Sequence, residues 1–439
     1  MKGCRLLSSK LSSKITRPDV RSYLRLDLSL GNLYDRIFLI LFIVDIILRV
    51  IWLDQPPGSL IFDEWYYVNV ARVILHLPQS VGANGQPPYV NVPQGLDPNH
   101  EHTPLAKLLI ALSMSILGNN AYGWRIPSVI FGSISILAFY LLMKRISKQE
   151  VVPIISTFLF SFDNLAFVHS RIAVLDIFTL GFMLLGIYWY FSGHSYLSAV
   201  GMALSALSKE TGIAGFALII GIHAVKFIND PMKRKKWGDF FSWFEKYTAA
   251  YVIVFFFLLT IMDRYFVGFS NPLDHLKYIL QYSSALTSTC PSGIVSCPWQ
   301  WLLNQVTIPY LRVNVQQTSG ATTSSFVSVS FLGAMNPAIS FLTIPALLYC
   351  SYNYYQRRDD LSLVSLALFS VSYLPFYLAV IFGQRVTYLF YFLPAVPAVC
   401  AAIAYMIADT KLPKIVVIFY LAVVVYIFIF MFPFQRIPS

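Results

Sequence analysis

Ile415-Val416-Val417-Ile418-Phe419-Tyr420-Leu421-Ala422-Val423-Val424-Val425-Tyr426-Ile427-Phe428-Ile429-Phe430-Met431-Phe432 runs without a single charged side chain. About 20 such residues are what a helix needs to cross the hydrocarbon core of a bilayer. The stretch fills the window 413–433, and ten more windows precede it: 34–53, 124–143, 152–168, 174–191, 195–209, 211–228, 247–267, 331–353, 361–382 and 386–408. The pair 195–209 and 211–228 is the weakest, split by Ser208-Lys209-Glu210-Thr211. The stretch 104–117 is too short to span comfortably and reads as a helix lying along the outer surface. The expected fold class is an all-α polytopic membrane protein. It should have about 11 transmembrane helices and surface helices in its first outer loop.

Composition points the same way. Of the 439 residues, 57% are hydrophobic and 12% charged, and the mean hydropathy is +0.63. Soluble domains carry about 25% charged residues, so a soluble globular protein is excluded. With the N-terminus inside, 21 of the 32 basic residues fall on inner segments, the asymmetry expected of cytoplasmic loops. The basic patches are thus topology and lipid contact, not nucleic-acid binding. The expected organisation is a cytoplasmic basic tail at 1–33, a membrane domain at 34–433 and an outer C-terminus at 434–439. No cleavable signal peptide is expected, because the first 30 residues are polar and basic.

Only two loops are large, 54–123 and 268–330, and both fall outside, so any chemistry belongs on the outer face. The first contains Phe62-Asp63-Glu64-Trp65 at the start of a helical pattern spanning 63–76. Adjacent carboxylates face different ways on any regular element, so one can act while the other supports. The same loop ends in His100-Glu101-His102. Its one-residue spacing does not match the helical i, i+4 pair of a zinc site, and no metal site is assigned. Asp45 and Arg49, four apart, can pair. Arg49, Arg125, Arg171, Asp176, Lys209, Glu210 and Arg385 gather at outer helix ends, and ionisable groups at membrane depth are candidates for function. Cys290 and Cys297 lie in the second outer loop, where a disulfide is permitted. Cys4 reads as a tail residue, and Cys350 and Cys400 as packing residues.

Several motifs then occur in a telling order. They are Phe62-Asp63-Glu64, His102-Thr103-Pro104-Leu105-Ala106-Lys107, Tyr122-Gly123-Trp124-Arg125-Ile126-Pro127-Ser128 and Ser170-Arg171-Ile172-Ala173-Val174-Leu175-Asp176. Ala206-Leu207-Ser208-Lys209-Glu210-Thr211-Gly212, Pro298-Trp299-Gln300-Trp301, Met335-Asn336-Pro337 and Arg385 through Pro394 follow. Together they resemble the dolichyl-phosphate-mannose protein mannosyltransferase family, with its C-type membrane glycosyltransferase fold. The resemblance runs from about residue 34 to 408. The chain departs from the family pattern at Thr103 and Ala106, and at Tyr391, where the family carries a His. The second outer loop is too short for the β-trefoil module of eukaryotic members, which implies a minimal prokaryotic or archaeal type.

The resemblance implies an inverting transfer of a hexose, mannose above all, from a polyprenyl or dolichyl phosphate to Ser or Thr hydroxyls of exported protein. Asp63 is then the general base, with Glu64 orienting the acceptor. Arg171 is first choice for the donor phosphate, because a guanidinium matches phosphate oxygens two-pronged, with Lys209, Arg385 and Arg49 behind it. His102, Lys107, Arg125, Asp176, Glu210 and Tyr391 would line the cleft. No nucleotide donor, metal or other cofactor is required beyond the lipid-linked sugar. The partners are membrane lipid and an acceptor protein or peptide, and family members often form dimers. The same fold also hosts transfer to a lipid or lipid-linked glycan, and a lipid or sugar transporter without chemistry stands as the reading from a different class.

Overall fold

In the computed structural model, residues 28–229, 236–288, 290, 293–319 and 322–435 are described. Most of the basic tail, Cys4, most of the Lys233–Lys236 run and the last four residues lie outside them. The chain is mostly helical. The helices are α1 Leu33–Val50, α2 Glu64–Ile74, α3 Leu105–Leu117, α4 Ala121–Ile146, α5 Val151–Ser161, α6 Asn164–His169, α7 Asp176–Phe191, α8 Ser195–Ser208 and α9 Ile213–Asn229. They continue as α10 Trp237–Met262, α11 Pro272–Ala285, α12 Pro298–Trp301, α13 Pro337–Phe341, α14 Thr343–Arg357, α15 Asp360–Gly383, α16 Val396–Asp409 and α17 Lys414–Met431. Among the described residues, six helical segments are long and apolar enough to cross a membrane. They are Ala121–Ile146, Glu210–Asn229, Trp237–Val267, Asp360–Gly383, Leu389–Asp409 and Lys414–Met431.

Helix also occupies the other windows, but in shorter or more polar pieces. α1 carries Asp35, Arg36, Asp45 and Arg49 within its 18 residues. The window 152–168 is broken at Asp163, whose carboxylate caps α6 by accepting from Ala166 N at 3.0 Å. The window 331–353 opens in strand as far as Gly333 and is interrupted again between α13 and α14.

The all-α expectation needs one correction. Ile308–Ser319 (β1) and Thr322–Gly333 (β2) form an antiparallel hairpin in the second large loop. Its sequence alternates short polar and apolar residues, such as Phe326-Val327-Ser328-Val329-Ser330-Phe331, which suits a pleated surface better than a helix. The C-terminal segment adds to the outer edge of β2, with Ser330 N donating to Pro433 O (2.7 Å) and Gln435 N to Ser328 O (3.0 Å).

α4, α7 and α8 pack together at the centre, with α5 against α16 and α10 against α8. Small residues permit the closest approach: a Cβ on Gly201 would lie 3.0 Å from the Cα of Gly186 on α7, the device membrane helices use in place of a hydrophobic driving force. α17 is the contrary case. Among its residues only Val424 and Phe428 are buried, and Ile415, Ile418, Phe419, Ile429 and Phe430 are exposed, as a helix bathed in lipid requires. Asn336 shows how a polar group inside is satisfied by its neighbours. Asn336 donates from its side chain to Phe162 O (3.1 Å) and Val424 O (2.9 Å) and from its backbone to Asp163 (3.0 Å). The Met335-Asn336-Pro337 motif is thus a staple across three helices. α3 lies where the short apolar stretch was expected; Leu112 and Ile116 on its outer face are exposed.

Candidate active site

The long loop after α1 turns sharply before α2. Phe62 takes a φ of 55°, and Asp63 follows as the N-cap of α2 without spending its side chain on a cap bond. Glu64 points the other way. Its carboxylate accepts from Ile61 N (2.7 Å) and Ala173 N (2.9 Å), and from Arg125 through Nε and Nη2, each at 2.9 Å. Arg125 also donates to the carbonyls of Leu53 (2.7 Å), Gln55 (3.3 Å) and Ser59 (2.9 Å). This fully buried pair ties four segments together and leaves neither member facing the cleft.

Asp63 opens onto a cavity of about 330 Å³, walled by Phe62, Tyr66, Tyr67, Asn99, Glu101, His102, Lys209, Glu210, Tyr282, Ser283, Leu286, Ile294, Arg385, Tyr388, Phe390 and Tyr391. Lys209 and Glu210 reach it because the chain breaks between α8 and α9, at the polar run that splits two weak windows. Lys209 Nζ pairs with Asp176 Oδ1 at 2.7 Å and lies 5.2 Å from the ring centres of Phe390 and Tyr391. His102 Nδ1 meets Glu210 Oε2 at 2.9 Å. Burial lifts the Asp63 carboxyl to about 6, with Asp176 adding to the rise and Lys209 and His102 opposing it. A carboxylate so poised sits near the pH at which a general base works best.

The cations divide sharply. Arg385 donates to the Ser283 hydroxyl (3.1 Å) and the Leu286 carbonyl (3.4 Å), and among the described residues it has no carboxylate partner. Arg171 is turned inward. Its guanidinium donates to Leu48 O and Ile51 O, each at 2.5 Å, and is boxed by the rings of Phe167, Phe432 and Phe434. Arg49 donates to the Ser170 hydroxyl at 2.7 Å and pairs with Asp45. Lys107 is likewise internal: it pairs with Asp97 at 2.6 Å and donates to His102 O at 2.9 Å. The structure thus gathers Asp63, His102, Lys209, Glu210, Arg385 and Tyr391 around one cavity and places Asp176 behind Lys209. It sets Glu64, Arg125, Arg171, Arg49 and Lys107 in the surrounding frame. His100 and His102 diverge, His100 packing on Phe269 and Tyr278.

Tyr282, Ser283, Leu286 and Ile294 are cleft residues that sequence reasoning missed; no local motif marks them. Cys290 and Cys297 form a disulfide in the loop that brings Ile294 over the cavity. Cys350 and Cys400 are buried. A second cavity of about 510 Å³ shares Tyr391 as a wall residue with the first. It is lined mainly by apolar residues, among them Met183, Ala214, Phe216, Val371, Pro375, Phe376 and Pro394, with Asp176 also in its wall.

The family model for dolichyl-phosphate-mannose-protein mannosyltransferase matches residues 101–261. The chain is 25% identical to a polyprenol-phosphate-mannose–protein mannosyltransferase of Mycolicibacterium smegmatis, over 88% of its own length and 86% of the relative's. It is 25% identical to the corresponding Corynebacterium glutamicum protein, over 77% and 75%. Among solved structures, the Saccharomyces cerevisiae protein O-mannosyltransferase Pmt1-Pmt2 complex bound to the sugar donor matches with a TM-score of 0.68 at 12% identity, covering 95% of this chain and 92% of that one. ArnT from Cupriavidus metallidurans bound to undecaprenyl phosphate matches with a TM-score of 0.54 at 14% identity, over 85% and 62%. These two share the fold. With its long apolar helices and with relatives matched over most of their length, the chain is an integral membrane protein that is similar to the dolichyl-phosphate-mannose–protein mannosyltransferases.

Proposed function

We propose that this protein transfers mannose from a polyprenyl phosphate to Ser or Thr hydroxyls of exported proteins, with inversion at the sugar. The observation that carries the reading is a pair of cavities that share Tyr391 as a wall residue. The apolar one suits a prenyl chain, and the polar one, with Asp63 facing Lys209 and Arg385, suits a sugar phosphate.

The chemistry follows from the groups present. Asp63 accepts the proton of the acceptor hydroxyl as its oxygen attacks the anomeric carbon from the face opposite the phosphate. The bond between that carbon and the phosphate oxygen breaks, and its electrons leave with prenyl phosphate. That leaving group is a phosphate monoester, anionic without protonation, so cations suffice to stabilise it and no metal or other cofactor is part of this reading. Arg385, with no carboxylate partner among the described residues, is the first phosphate ligand. Lys209 is second, its charge shared with Asp176. The aromatic wall of Tyr66, Tyr388 and Phe390 offers faces for a hexose ring. Arg171, Arg49, Arg125 and Glu64 act by holding the frame.

In this reading the chain crosses the membrane eleven times, with its N-terminus cytoplasmic and the cleft and C-terminus outside. It accepts peptide from the outer side, and pairs with a second subunit, a point supported by the two-chain yeast complex. The test is transfer by purified protein from mannosyl-phosphoprenol to a Ser/Thr peptide. Transfer only to a lipid-linked acceptor would redirect the acceptor assignment. Substrate flux in sealed vesicles with no new glycosidic bond would overturn the enzyme reading.

A further inference from the structure

Phe62, the residue immediately before Asp63, has a φ of 55°, a region in which a bulky side chain is a true outlier. Such conformations persist only where the surroundings over-determine them. Here the surroundings are aromatic and come from far along the chain. Phe62 stacks on Tyr310 of β1, with ring centres 4.3 Å apart and planes at 25°, and meets Phe390 edge-on at 5.7 Å. Tyr310 is itself fixed, its hydroxyl 2.8 Å from His169 Nε2. Both Tyr310 and His169 are buried. Gly333, at the base of β2, makes room for the ring: a Cβ there would lie 2.5 Å from Tyr310 Oη and Cζ.

We propose that Tyr310 is a positioning residue for the transfer, clamping Phe62 in its left-handed conformation and so aiming the Asp63 carboxylate into the cleft. The proposal rests on Asp63 being the base. It gives the outer hairpin a role in the chemistry although no residue of β1 or β2 is among those lining the cavity. Released from the clamp, Phe62 relaxes toward negative φ and the α2 N-cap turns with it. A displacement of about 1 Å at a reacting group can cost on the order of 100-fold in rate.

The experiment compares wild type, Y310F, Y310A, G333A and D63N, purified in nanodiscs, with mannosyl-phosphoprenol and an acceptor peptide. Rates are normalised to the fraction of protein that binds donor. Y310A and G333A are expected to lower kcat on the order of 100-fold with donor KM unchanged, and to displace the acid limb of the pH–kcat profile. Y310F keeps the ring and loses one hydrogen bond, so its kcat should stay within about tenfold of wild type. Residues of merely structural value would lower the yield of folded protein while leaving kcat and the acid limb in place, and that result overturns the proposal. If Y310A fails to fold, G333A decides: wild-type kcat in G333A overturns the clamp. An inactive D63N beside a fully active Y310A rejects the clamp alone, whereas turnover retained in D63N rejects the base assignment and the clamp with it.

Discussion

Asp63 faces an open cavity and, among the described residues, no hydrogen bond to its carboxylate is seen. Glu64, one residue on, is sealed in the interior and accepts four. The cations repeat the contrast. Among the described residues Arg385 borders the cavity with a hydroxyl and a carbonyl as its hydrogen-bond partners, while Arg125 spends its donors on carbonyls and a carboxylate and Arg171 turns both Nη atoms to carbonyls, leaving only its buried Nε without a partner. All of these groups gather at one end of the bundle. What separates them is whether their hydrogen-bonding capacity is already used. A buried ion whose donors and acceptors are matched is part of the frame, and breaking such a pair is costly because the survivor is left unpaired. A charge left partly free beside a cavity can respond to a substrate.

The contrast breaks most visibly at its two carboxylates. Asp63→Asn is expected to lower kcat by about 100- to 10,000-fold, the usual worth of a positioned base. Donor binding and thermal stability should stay near wild type, because no structural bond is lost. Arg125→Ala should do the reverse. It leaves Glu64 buried without its partner, a loss of about 3–5 kcal/mol, read as a sharp fall in folded protein in detergent. Whatever remains folded should turn over normally. A folded, inactive Arg125→Ala enzyme would move Arg125 and Glu64 into the chemistry and erase the distinction.

A smaller effect sharpens the cation half of the comparison. Arg385→Ala removes one charge-assisted contact to the donor phosphate, worth about 1.5–3 kcal/mol. That is roughly a 10- to 150-fold loss in kcat/KM, seen with the lipid donor and not with acceptor concentration. Arg385→Lys keeps the charge without the two-pronged geometry and should fall between. If Arg171→Lys proves the more damaging to donor affinity in stably folded protein, the phosphate assignment belongs inward.

How far the site was legible follows from the same distinction. The run Ser208-Lys209-Glu210-Thr211 announces a break in an apolar pattern, and the break is what delivers Lys209 and Glu210 to the cavity. Phe62-Asp63-Glu64 announces carboxylates at a helix start. Neither run says which carboxylate turns inward, because that depends on Arg125, which lies 61 residues away. Arg171 meets the same limit: a guanidinium at a helix end has the same sequence signature whether it waits for a phosphate or donates to the carbonyls of Leu48 and Ile51 at the end of α1. The hairpin was hidden by a different cause. Its strand Phe326–Phe331 runs straight into an apolar helix, so an average over 20 residues merges strand and helix into one window. Tyr282 and Ser283, on the amphipathic α11, carry no pattern that distinguishes a cleft wall from a surface.

The finest test lies in pH. With Asp63 at about 6, the base form predominates above that value, so kcat/KM should rise through pH 6 and level off above it, the activity being lost as Asp63 takes up a proton. Burial sets the position of that limb, and the neighbouring charges trim it. Of these Lys209 lowers it most, Asp176 raises it, and His102 lowers it least. His102→Gln removes only the weakest of these influences and keeps a polar group beside Glu210. The acid limb should therefore move upward by less than about one pH unit, with kcat above pH 8 nearly unchanged. Lys209→Met should move it further in the same direction, while also leaving Asp176 without its partner. A limb that stays fixed in both variants would show that the group titrating near 6 is not Asp63. The cavity's charges would then be organised about some other proton acceptor.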